Sequence, residues 1–285
     1  MEQLPMRAIG ALAAASTLAA ASALGVAGAQ GSETSAGRGW GDEAGAGIVR
    51  SEALGRPLQG WVIALDPGHS GGNTARLGRS VPDGRGGSKA CNTSGTATAE
   101  GYAEHSFNFD VARRTAKLLR AKGAVVKLTR SDDRAPGPCV DRRGTFAQRA
   151  HADAMVSIHG DGSIDTSLRG YHAIVSSPPL NEAQGAPSVA LAKAIMRELA
   201  GLGFVRNPNY AGGLSKRADI AGVNLTERPT VMMELGEMRN PAEAGTMSSS
   251  RGRQRYAQAI ARGIVAWAAG QKPGTWDDVG KDRKA

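Results

Sequence analysis

Short, wholly apolar runs punctuate this chain, separated by longer segments in which apolar residues recur with helical spacing. Trp61-Val62-Ile63-Ala64-Leu65 is unbroken and stops at Asp66-Pro67-Gly68, a turn signal. Such a run fits a strand covered on both faces. Ala124–Leu128, Ala154–Ile158 and Val231–Leu235 read the same way, and Tyr171–Ser176 reads as a further strand. Between them, His105–Lys122 brings Phe107, Val111, Leu118 and Leu119 near one helical face, and Gly123 marks its end. Asp141–Ala150 predicts a polar helix. Pro187–Ala200 predicts another, with Pro187 suited to a first turn, and Arg253–Ala269 predicts the last. Strands alternating with helices predict a single layered α/β domain over residues 59–270.

The remaining segments are of three kinds. Ser70–Tyr102 is dense in Gly, Ser, Thr and Asn, and a loop of that length carries function or is pinned. Residues 30–58, rich in Gly, Ala, Ser and charge, read as a flexible linker, and residues 271–285 as a charged tail. At the N-terminus Arg7 precedes the uncharged run Ala8–Ala27, and Ala27-Gly28-Ala29 offers small residues for cleavage. Residues 1–29 therefore read as a signal peptide. The alternative is a membrane anchor, but the run's Ala and Gly make it only weakly apolar. In an exported chain the only two cysteines, Cys91 and Cys139, read as one disulfide, with two buried free thiols as the alternative.

Composition narrows the partners. Hydrophobic residues make up 41% of the 285 and aromatic residues 4%, so the core must be built mainly from Ala, Val, Leu and Ile. The formal net charge of +9 suits nucleic acid, membrane surfaces or acidic polymers. The basic residues are scattered and no zinc-finger or helix-turn-helix signature accompanies them, which argues against nucleic acid.

Candidate chemistry gathers at the ends of the predicted strands. His69 follows the first strand by a tight turn, His159 ends the Ala154–Ile158 strand, and Glu234 lies near the end of Val231–Leu235. In open α/β sheets the carboxyl ends of strands line the ligand crevice, so these residues converge. Glu104, at a helix N-terminus, closes the same site. Two His and a carboxylate with an open fourth position form a catalytic zinc pattern. Each signal has a plainer reading: a strand-end His as a structural residue, and Glu104 as a favourable charge at a helix N-terminus. An acid inside Val-Met-Met-Glu-Leu is costly to bury without a partner, which is either a metal centre or an Arg. His105 and His151 read as structural, and His172, in a predicted strand, approaches the cleft. Asp83-Gly84-Arg85-Gly86-Gly87 lacks the Gly-Lys-Ser/Thr ending of a phosphate cradle, and Trp267 reads as core.

Asp66-Pro67-Gly68-His69-Ser70-Gly71-Gly72 resembles the opening motif of the zinc-dependent N-acetylmuramoyl-L-alanine amidases. Glu104 with Asn108, then Arg143, Ala147, Ala152-Asp153 and Ser157-Ile158-His159, then Pro229, Glu234-Leu235-Gly236 and Asn240 match three further blocks in the family's order. The match is most like the compact mycobacterial members. It implies a mixed, mostly parallel sheet flanked by helices, the phosphorylase/hydrolase-like amidase fold. It also implies Zn2+ held by His69, Glu104 and His159, with Glu234 as the general base acting on water. The substrate implied is peptidoglycan or a muropeptide, cut by a monomer exported to the periplasm or cell wall, with no nucleic-acid partner and no stable membrane insertion after signal cleavage.

Three stretches depart from the family pattern. Gly160-Asp161 stands where Ala-Asn is usual, Gln148 where Asn is usual, and Glu237 where an aromatic often follows. None touches an expected ligand. Two rival readings remain: a non-catalytic peptidoglycan-binding protein on the same fold, and a zinc peptidase cutting another cell-wall amide.

Overall fold

The computed structural model describes residues 55–276 and 279; the expected signal peptide and most of the expected linker lie outside them. In chain order the strands are β1 (Val62–Pro67), β2 (Ser80–Pro82), β3 (Ser88–Ala90), β4 (Val125–Leu128), β5 (Ala154–Asp161), β6 (His172–Ser176), β7 (Leu214–Arg217) and β8 (Thr230–Glu237). The helices are α1 (Glu104–Ala121), α2 (Val140–Gly144), α3 (Phe146–Arg149), α4 (Ala186–Gly201), α5 (Ala221–Asn224), α6 (Pro241–Ser248) and α7 (Ser250–Ala268). Six strands form one sheet in the order β4-β1-β5-β8-β6-β7. The first four run parallel; β6 meets β8 antiparallel and carries β7 parallel to itself. The sheet is thus mixed and mostly parallel, with helices on both faces.

Strand alternation divides the side chains between two unlike faces. Ile63 and Leu65 of β1, Val156 and Ile158 of β5, and Val231, Met233 and Leu235 of β8 belong to the main core with residues of α1, α4 and α7. Trp267 packs there too, edge-on to Trp61 with ring centroids 5.6 Å apart. The opposite face is covered thinly. Ala64 and Met155 meet Ala147, and Ile174 and Met232 meet Val223, in two small clusters under α3 and α5. Asp66, Ser157, His159 and Glu234 occupy this second face near the carboxyl ends of β1, β5 and β8, with His172 beside them at the start of β6; all but Glu234 are buried.

The structure refines several expectations. The Ser70–Tyr102 segment contains a short 3-10 turn and the antiparallel β2–β3 hairpin, and the Cys91–Cys139 disulfide ties it to the residue before α2. Asp83-Gly84-Arg85-Gly86-Gly87 forms that hairpin's turn, with Asp83 Oδ1 accepting from the backbone N–H of Arg85 and Gly87. The expected Asp141–Ala150 helix is two short helices broken at Thr145. Three further elements were absent from the sequence reading: the edge strand β7, whose Leu-Ser-Lys-Arg carries no apolar run, the short α5, and α6, capped by Asn240. Leu58, in the last residues of the expected linker, is fully buried, and its N–H donates to Lys122 O at 2.9 Å. Among the described residues no helix is long and apolar enough to cross a membrane.

Candidate metal centre and catalytic cleft

The turn after β1 is shaped by close approach. A Cβ on Gly68 would fall 2.2 Å from the His159 ring, so only glycine lets the turn cross over that imidazole. His69 follows with φ 56°, a left-handed conformation that is strained for any residue with a side chain. Arg130 holds the turn in place: its Nε donates to Pro67 O at 3.1 Å, and its Nη2 to Gly68 O at 3.3 Å and His105 O at 2.9 Å. His69 Nδ1 lies 2.9 Å from Thr93 O, so in the neutral ring it carries the proton, and Nε2 is the atom turned toward Glu104.

Glu104 joins the two imidazoles. Its Oε2 lies 3.2 Å from His69 Nε2 and its Oε1 lies 3.0 Å from His159 Nδ1. Oε2 also accepts from the Thr96 N–H at 3.0 Å, and Oε1 from Asn108 Nδ2 at 3.1 Å. Burial alone would raise the Glu104 pKa, but the hydrogen bonds of His159 and His69 outweigh it and hold the carboxyl well below its ordinary range. Burial lowers the His159 pKa against the opposing pull of Glu104, which favours the neutral ring that metal ligation needs.

One ligand atom from each of His69, Glu104 and His159 lies within 4.8 Å of the other two. Two nitrogens and an oxygen in that space fit a divalent metal, and zinc chemistry in particular. His105 does not join them; its Nδ1 lies 2.8 Å from Asp133 Oδ2. His151 sits at the turn after α3 with φ 49°.

Glu234 stands beside this cluster, opposite His159 in the β5–β8 register. It is partly exposed to the cleft, yet its Oε2 is buried without a hydrogen-bond partner. No Arg pairs with it among the described residues. Burial, then the charges of Glu104, Asp161 and Glu237, raise its pKa well above the ordinary carboxylate range. Behind the cluster, Arg143 forms a two-pronged ion pair with Asp66, Nε to Oδ1 at 2.7 Å and Nη2 to Oδ2 at 2.9 Å. Ser157 and Thr129 also donate to Asp66. Against the cost of burial, Arg143 and these hydroxyls keep Asp66 ionised far into acid. Arg143 Nη2 reaches within 3.3 Å of His159 Nε2, so the pair also positions that ring.

Sequence reasoning missed part of this surround. Thr93 acts through its backbone carbonyl, which no residue type announces. Arg130, Tyr210 and Arg217 lie in segments without a motif, although Arg217 and Tyr210 line the cleft with His172 and Glu234.

A family model described as N-acetylmuramoyl-L-alanine amidase matches residues 63–266. The chain is 44% identical over 232 residues to an N-acetylmuramoyl-L-alanine amidase of Mycobacterium tuberculosis, a span covering 80% of this chain and 95% of that protein. The crystal structure of the N-acetylmuramyl-L-alanine amidase Ami1 from Mycobacterium smegmatis superposes with a TM-score of 0.73 at 47% identity, covering 75% of this chain and 99% of that one. The apo enzyme of Mycobacterium abscessus gives 0.72 at 42% identity, covering 74% and 99%. The chain belongs to the N-acetylmuramoyl-L-alanine amidase family. Its likeness to mycobacterial members is the one its motifs imply.

Two outcomes follow from the geometry. Asn108→Leu removes the amide that orients Glu104, and is expected to weaken divalent-metal binding by about 10- to 100-fold, read by chelator competition. An unchanged affinity would show that Glu104 needs no such support. Burial, then Asp161, push Glu237 from 4.5 up to about 7. Between those values the folded chain holds a proton that the unfolded chain releases, so stability falls as pH rises through that window. Glu237→Gln keeps the acceptor for the Ser163 N–H and should gain melting temperature over the parent as pH goes from about 5 to 8. A gap that does not widen with pH would contradict the assignment.

Proposed function

We propose that this enzyme hydrolyses the amide bond between N-acetylmuramic acid and L-alanine in peptidoglycan or its fragments, with Zn2+ as its metal. The observation that carries the reading is the His69–Glu104–His159 cluster with an unpaired carboxylate, Glu234, beside it. His69, Glu104 and His159 would hold the zinc, which when bound supplies polarisation of the scissile carbonyl and acidification of water.

The protein's own groups supply the proton traffic. Glu234 accepts the proton of the attacking water and returns it to the departing alanine nitrogen. Its raised pKa makes the carboxylate a stronger base than an ordinary one. Its unpartnered Oε2 leaves an acceptor free for the task. Asp66 and Arg143 fix His159, and Thr93 fixes the tautomer of His69. No protein nucleophile is required. Both cysteines are tied up in the disulfide, and the Ser157 hydroxyl donates to Asp66.

Peptidoglycan lies outside the cytoplasmic membrane, so the reading includes export, with residues 1–29 as signal peptide, 30–58 as linker apart from its packed end at Leu58, and 59–270 as the catalytic domain. The disulfide supports an oxidising compartment. The enzyme then acts in the periplasm or at the cell wall as a monomer, in wall turnover or cell separation.

The test is a defined N-acetylmuramyl peptide with mass analysis of the products. Intact sugar and free peptide beginning with L-alanine are expected; cleavage inside the peptide would overturn the substrate assignment. Chelation should abolish the activity and zinc restore it. Glu234→Gln should retain the metal and lose about 10²- to 10⁴-fold in kcat, since it removes the base and no ligand. Near-parental turnover in that variant would assign the base elsewhere.

A further inference from the structure

His159, Glu234 and His172 form one row across three adjacent strands. His159 on β5 and His172 on β6 are both register partners of Glu234 on β8. Register partners share a face, with strands about 4.8 Å apart. His172 is 2% exposed, and its Nδ1 is buried without a hydrogen-bond partner. The ring is fixed by stacking on Tyr210, with centroids 4.0 Å apart and planes inclined by 25°. It lines a cavity of about 320 Å³ together with His69, His159 and Glu234. A buried polar atom left bare beside a binding cleft is costly, and such costs are kept at functional positions.

The surroundings give the cleft a direction. Its lining also includes Ile174, Ile220 and Met232, with Lys89 and Arg217. His159, one of the cluster's ligands, flanks Glu234 on one side and His172 flanks it on the other. A carbonyl polarised at the cluster and a nitrogen protonated by Glu234 then leave the peptide running toward His172.

We infer that His172 holds the peptide portion of the substrate, its imidazole hydrogen-bonding a backbone amide beyond the scissile bond while Tyr210 keeps the ring in place. This rests on the amidase reading of the site. Burial pushes the His172 pKa down to about 4, so the ring meets substrate neutral, with one donor and one acceptor to match an amide.

The experiment is steady-state kinetics of zinc-loaded parent, His172→Phe and His172→Gln on a defined N-acetylmuramyl tripeptide. It is accompanied by binding of the same tripeptide in a Glu234→Gln background. For His172→Phe, KM and the dissociation constant are expected to rise about 3- to 10-fold, the size of one neutral hydrogen bond, with kcat within about 2-fold of the parent. His172→Gln should recover most of that loss. Unchanged binding would overturn the inference. So would a fall in kcat at constant KM, which would make His172 a support for Glu234. Should the Phe variant not fold, Tyr210→Leu, which frees the ring from its stack, carries the same expectation. A parent that leaves the tripeptide uncut but binds it overturns the amidase reading, and the inference falls with it.

Discussion

The register of β5 against β8, and of β1 against β5, is the constraint on which the site depends. Asp66 lies opposite Ser157, and His159 opposite Glu234. A slip of one residue in either pair would turn the polar side chains into the main core and the core residues onto the open face. The apolar residues of the main core enforce the register, because Ile63, Leu65, Val156, Ile158, Met233 and Leu235 can be buried together in one arrangement only. Packing on one face of the sheet thus fixes the geometry of the chemistry on the other.

Electrostatics then sets the state of each group. Two carboxylates near one metal cluster are driven in opposite directions. Glu104, bonded to two imidazoles and a backbone N–H, stays ionised despite its burial. Glu234, which lacks such donors and faces other acids, is pushed toward the protonated form. That divergence suits Glu104 to ligate a metal and Glu234 to carry a proton, without any difference in residue type. The Asp66–Arg143 pair lies deeper and is held by four hydrogen-bonding contacts. A buried pair of this kind contributes more to position than to net stability. Here the position it secures is that of the His159 ring.

Much of this arrangement was legible in the sequence where a residue violates its local pattern. Glu234 breaks an apolar run, and Gly68-His69 follows a strand that ends abruptly; both signals led to the cleft. The strands with continuous apolar runs were likewise readable, since burial on both faces leaves that signature. What was not readable depended on tertiary contact. β7 is an edge strand whose pairing with β6 comes from the backbone. The Thr93 carbonyl and the stacking of Tyr210 on His172 arise from loops whose course the apolar pattern does not encode. The break at Thr145 did leave a signal, Gly144 at the end of α2, but a single glycine inside a helical pattern does not by itself end the helix.

The three departures from the family pattern are each absorbed locally, which explains how the cluster survives them. A Cβ at Gly160 would meet Met247 Cε at 2.7 Å and Met238 Cγ at 3.1 Å, so the space of the usual alanine methyl is taken by two methionines. Gln148 spans from α3 to the segment after α5, with Nε2 donating to Leu225 O and Oε1 accepting from the Glu227 N–H. Glu237 accepts from the Ser163 N–H at 3.0 Å and so ties the segment after β5 to the end of β8. Gly160 and Gln148 replace one neighbour contact with another, and Asp161 and Glu237 bring acid. With Asp161 opposite it in register, Glu237 adds to the field that raises the Glu234 pKa. The departure that looks least conservative therefore acts on Glu234, and leaves the two imidazoles and the carboxylate between them untouched.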